Sequence, residues 1–158
     1  MKTSQCSNFF KLLPVTMALA FFSIDSFASS ISVVEPYARA VAPGHPNSAA
    51  FMVLKNTSNQ DRALVNAYSD VSNAVELHTH IKEGGMMRMR RVDKIDIKAG
   101  SETVLKPGGL HIMFIGLKQQ LKVGDKVELK LEFDDKNTIT LQVPVKMVAG
   151  MQKKHMHQ

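Results

Sequence analysis

Two short stretches of this chain concentrate side chains that hold soft metal ions. Residues 108–117, GGLHIMFIGL, place His111 and Met113 two apart. Earlier, His78 and His80 precede a KEGG turn at 82–85, and Met86, Met87 and Met89 follow it. On a strand, residues two apart share a face. His111 and Met113 would therefore aim an imidazole and a thioether in one direction. Pairing through the turn would bring His78 near Met89, and a third strand crossing close by would add His111 and Met113. Two imidazoles and two thioethers would then converge. Thioether is a poor ligand for Zn, Mg or Ca and suits Cu(I). With four neutral donors the site keeps only the ion's charge, which favours Cu(I) over Cu(II). Neutral donors also exchange readily.

The other sulfur and imidazole groups read differently. Met52 and Met147 fit core filling, the usual role of a lone methionine on a strand. His45 sits in a proline loop and fits the surface. Met86 and Met87 can be rim residues or simply exposed. His80 has the parity of His78 and stands as a substitute ligand. Arg88, Arg90, Arg91 and Lys94 form a basic cluster that reads as a solvated face, with mild steering toward an acidic partner. Nucleic acid does not fit as a partner: stacking aromatics are few, and the start of the chain points to export.

That start, MKTSQCSNFFKLLPVTMALAFFSIDSFASS, has a basic leader (Lys2, Lys11), an apolar run from Leu12 to Ile24 and small residues at Ser26-Phe27-Ala28. It reads as a signal peptide, residues 1–28, cleaved after Ala28. Its apolar run is roughly a dozen residues, whereas a membrane-spanning helix needs about 20. No membrane insertion is therefore expected after cleavage. The one cysteine, Cys6, leaves with the leader. Disulfides, thiolate catalysis, thiolate metal sites and a type 1 copper centre are all excluded for the mature chain. No Ser-His-Asp spacing or carboxylate-rich metal set suggests an enzyme. Losing Lys2, Lys11 and Asp25 takes the whole-chain charge from +6 to +5.

The remaining elements read as strands. They lie at 31–41, 49–56, 62–69, 71–81, 86–97 and 125–135, with 103–109 leading into the His111 strand and 137–148 closing the domain. In 125–135, Val127, Leu129, Leu131 and Phe133 alternate with charges, the pattern of a half-buried strand. Pro144 suggests an edge strand or a strand end. Short strands separated by turns predict an all-β sandwich or small barrel over residues 29–149. Residues 150–158, GMQKKHMHQ, leave the apolar pattern and read as a flexible tail.

The spacing His78, ten residues, Met89, twenty-one residues, His111, one residue, Met113 is similar to the H-x10-M-x21-H-x-M signature of the periplasmic copper chaperones called PCuAC. The surrounding text VELHTH, GGMMRMRRVD and LKPGGLHIMFIGLK resembles that family too, and the likeness spans about 31–148. The resemblance implies a cupredoxin-like β-sandwich or barrel. It implies a monomeric Cu(I) carrier of the periplasm with His78, Met89, His111 and Met113 as metal ligands. It further implies delivery to the dinuclear copper centre of cytochrome c oxidase subunit II, beside or through a Sco-like chaperone. A copper buffer or resistance protein with no dedicated acceptor would use the same ligands. Some members carry a His- and Met-rich extension that binds more copper. Here that extension is reduced to His155-Met156-His157, a candidate for weak Cu(II) capture.

Overall fold

The computed structural model describes residues 30–148. The expected signal peptide and the 150–158 tail lie outside the described residues. The described residues form ten strands and no helix. In chain order these are β1 (Ile31–Arg39), β2 (Asn47–Asn56), β3 (Arg62–Tyr68), β4 (Ser72–Glu83), β5 (Met86–Arg91), β6 (Ile95–Ile97), β7 (Glu102–Leu105), β8 (His111–Leu117), β9 (Lys126–Phe133) and β10 (Thr138–Lys146).

The pairing runs β5-β4-β8-β2-β1-β10-β9-β3-β6, with β7 added to β2. β1 and β10 join in parallel at Ala38↔Val145 and Arg39↔Lys146. The path folds over on itself, so β3 meets β4 and β6 meets β2 and β7. This is the all-β sandwich or barrel expected from the strand pattern, in the cupredoxin-like form that the family resemblance implies. Between its layers lie Leu54, Leu64, Ile97, Ile112, Phe114, Leu129, Leu131 and Phe133, all fully buried. The alternation in β9 is realised: Val127, Leu129, Leu131 and Phe133 point inward, and Lys126, Glu128 and Lys130 point out.

Three local features depart from the strand assignments. The 86–97 stretch is two strands. β5 pairs with β4, whereas β6 pairs with β3 at the far end of the path. The break falls at Val92-Asp93-Lys94, where the Val92 N–H donates to Leu77 O at 2.9 Å and turns the chain away. β1 carries an irregularity between Val34 and Tyr37, where Glu35 adopts φ 49° ahead of Pro36. A left-handed backbone is unusual for a non-glycine residue. Pro144 lies inside β10, opposite Lys126 of β9. β1 pairs with β10 only from Val145 onward, so the proline ring, which has no N–H to give, sits just before that ladder starts.

The 82–85 turn is a two-residue hairpin loop. Gly84 and Gly85 have φ 58° and 82°, and two positive φ values in sequence are the geometry that matches strand twist. The hairpin leaves β5 as a sheet edge with all six residues exposed.

Candidate metal centre

Strand register builds the site. β4 pairs with β8 so that His78 faces His111 and Glu76 faces Met113. β4 also pairs with β5 so that His80 faces Met89 and His78 faces Arg91. β2 pairs with β8 so that Ala49 faces Met113. Directly opposed residues in antiparallel strands share a face. His78, His80, Met89, His111 and Met113 therefore occupy one face of the three adjacent strands β5, β4 and β8. Met89 sits directly across from His80, and His78 lies one face position further along β4. The opposite face of β8 carries Ile112 and Phe114 into the core.

A cavity of about 240 Å³ opens on this face, lined by His80, Met89, His111 and Met113 together with Arg39 and Phe51. The donors descend through it. Met89 is 43% exposed at the mouth, and His111 is 3% exposed at the floor. The His111 ring lies 5.8 Å from the His78 ring and 5.1 Å from the His80 ring, centre to centre. Phe51 closes one side at 6.3 Å from His111, with Tyr37 behind it at 5.2 Å. Met86 and Met87 are 60% and 59% exposed on the edge strand and do not line the cavity. His45 and Met52 stay outside it as well, Met52 buried in the core.

The imidazoles are held by their second nitrogens. The turn Lys106-Pro107-Gly108-Gly109, with Gly108 at φ 78°, aims the Gly109 carbonyl back at the site. His111 Nδ1 lies 2.9 Å from that oxygen and His80 Nδ1 3.4 Å from it. Donation from Nδ1–H leaves Nε2 of each ring as the lone-pair nitrogen. His78 is oriented the other way round. Its Nε2 lies 2.8 Å from Glu76 Oε2, and its Nδ1 is buried with no partner. Glu76 is itself held by Arg91 at 3.3 Å. A histidine that donates one ring N–H to a carboxylate and leaves the other nitrogen free has the arrangement of a metal ligand. Burial pushes the His111 imidazole below its ordinary pKa, and His80, His78 and Arg39 add to the effect. The ring is thus neutral, its ligand form, at neutral pH.

Among the described residues, no three His, Cys, Asp or Glu side chains form a metal-holding group. The cavity adds the thioethers of Met89 and Met113 beside the imidazoles. The donor set therefore fits a soft monovalent ion and fits a hard divalent one poorly. Sequence spacing pointed to the imidazoles and thioethers but missed Glu76, Phe51 and Arg39. Glu76 carried a usable signal, its i, i+2 relation to His78 on a strand. Phe51 and Arg39 carried none, because only the β1–β2–β8 register brings them to the cavity.

His78 and His80 share this face, although only His80 lines the cavity, and either can supply the imidazole of β4. Single His78→Ala and His80→Ala variants should each weaken Cu(I) binding by about tenfold. The double variant should lose far more than the two single losses combined, the coupling expected of exchangeable groups. Competition with a Cu(I) chelator measures it. A double variant no worse than one single variant would show that the other histidine takes no part.

The comparisons with known proteins show the family and the fold. The family model LpqE-like, described as "Putative lipoprotein LpqE-like", matches residues 31–145. The chain is 35% identical over 124 residues to "Putative lipoprotein Lxx21020" of Leifsonia xyli subsp. xyli, covering 78% of this chain and 74% of that protein. The solution structure of Cu(I)-DR1885 from Deinococcus radiodurans matches with a TM-score of 0.62 and 33% identity, over 78% of this chain and 85% of that one. A copper-bound PCuAC domain from PmoF2 matches with a TM-score of 0.65, over 75% of this chain and 94% of that one. Its 22% identity makes it evidence of fold alone.

Proposed function

The chain belongs to the LpqE-like family, and from that premise we propose that it is a copper(I)-binding carrier of the bacterial envelope that works by ligand exchange instead of catalysis. The cavity lined by His80, Met89, His111 and Met113, with His78 beside it on the same face of β4, carries this reading. Cu(I) is the cargo of the site. His111 binds from the floor through Nε2, Met113 and Met89 supply sulfur, and an imidazole of β4 completes the set. Neutral donors hold Cu(I) without the strong charge attraction that would trap it.

The placement of Met89 supports transfer. It is the most exposed of the donors and lies on an edge strand, where an acceptor can approach before the buried His111 lets go. An incoming ligand can displace Met89 first, then Met113, in steps that keep the ion coordinated throughout. The acceptor we propose is the dinuclear copper centre of cytochrome c oxidase subunit II, reached directly or through a Sco-like chaperone in the periplasm. The support for that acceptor is the signature spacing His78–Met89–His111–Met113.

Titration under reducing conditions tests the reading. One Cu(I) per chain should bind tightly and Zn(II) only weakly. X-ray absorption of the loaded protein should count both sulfur and nitrogen neighbours around copper. Equal affinity for Zn(II) and Cu(I), or a copper shell without sulfur, would overturn it.

A further inference from the structure

The cavity has a cationic wall. Arg39, the last residue of β1, lines it beside His80, Met89, His111 and Met113. The register accounts for its position. Tyr37 pairs with Phe51 and Ala38 with Ala50, so Arg39 follows on the face of Ala49, and Ala49 pairs with Met113. The Nε of Arg39 is buried and has no hydrogen-bond partner. Among the described residues, the Arg39 side chain forms no ion pair. The acids of β4 are engaged elsewhere: Glu76 with His78 and Arg91, and Glu83 with Arg88 and Arg90. The charge of Arg39 also reaches His111, where it disfavours the protonated ring.

A half-buried cation without a counter-ion is costly to fold around. Beside a metal pocket it also opposes the binding of any cation. Arginine keeps its charge at every accessible pH, so this opposition is constant. Coulomb repulsion is proportional to the charge of the incoming ion. A divalent ion therefore meets twice the penalty of a monovalent one at the same place. The thioethers discriminate by softness, and a fixed charge discriminates by valence.

We propose that Arg39 is a charge filter for this pocket, a specificity-determining residue that favours Cu(I) over Cu(II) and Zn(II) without coordinating the metal. The inference rests on the pocket binding copper as stated above.

The test compares the parent with Arg39→Gln, Arg39→Met and Arg39→Lys, each loaded separately with Cu(I) and with Zn(II). Two uncharged variants of different shape are used so that a packing defect in one does not decide the outcome. Removing the charge should tighten Cu(I) binding, on the order of tenfold, and Zn(II) binding by about the square of that factor. The copper couple should fall in potential by about 59 mV for each tenfold change in the Cu(II)-to-Cu(I) affinity ratio. Arg39→Lys should stay close to the parent. If both uncharged variants leave the Zn(II)-to-Cu(I) affinity ratio unchanged, or weaken both ions together, Arg39 only supports the pocket and the filter is wrong. If the parent itself binds no Cu(I), the copper reading fails instead.

Discussion

Met113→Leu is expected to leave the domain folded while weakening Cu(I) binding by at least about 100-fold, the upper end of what losing even an outer-shell partner costs a metal site. The two side chains have similar volume, and such swaps are tolerated well in packed surroundings. Met113 is only half-buried and faces the cavity, so leucine can occupy its place against Ala49 and Glu76. What leucine lacks is the sulfur. The remaining Met89 sits at the exposed mouth and cannot replace a donor deeper in the pocket. Met89→Leu should show a smaller loss of the same kind. Met52→Leu is the control, because Met52 is 2% exposed in the core and touches no part of the cavity. Circular dichroism and thermal melting of the apo proteins should match the parent, while chelator competition reports the affinity. A Met113→Leu protein that binds copper like the parent would make Met113 a packing residue and remove the proposed site.

Phe114→Ala should do the opposite, one residue away. Phe114 is fully buried and points from β8 into the space between the sheet layers. Truncating a buried phenylalanine to alanine costs about 3–5 kcal/mol, from lost transfer energy and the cavity left behind. That is a large share of the stability of an ordinary domain. The apo melting temperature should fall by about 10 °C or more. Copper binding should weaken only through the unfolded fraction, and saturating Cu(I) should recover part of the melting temperature, because a ligand bound only by the native state stabilises it. A melting temperature within a degree or two of the parent would mean that the β8 faces have been assigned the wrong way round. The adjacent pair thus separates site from core on one strand: odd positions His111 and Met113 line the cavity, even positions Ile112 and Phe114 pack.

That separation was legible in the sequence because a strand has a period of two. His-x-Met within an apolar run is readable as a donor pair on one face and a core pair on the other without any knowledge of the fold. The same rule gave the buried row Val127, Leu129, Leu131 and Phe133. The KEGG turn was also legible, since consecutive glycines announce a hairpin with positive φ. The soft donors were enough to indicate the class of metal before any contact was known.

Other features depended on pairing between distant segments, which no local pattern encodes. The hairpin register sets Met89 opposite His80 and gives β4 two imidazoles on the site face. The split of 86–97 into β5 and β6 was hidden because both halves read as strand, and only their different partners separate them. Arg39 and Phe51 reach the cavity through the β1–β2–β8 ladder, from positions at least sixty residues before His111. The sequence alone determined which atoms could hold the metal. The tertiary structure decided which of them meet, how deeply each is buried and which charge stands beside them, because side-chain convergence across a sheet depends on strand order and register, and these are properties of the whole chain.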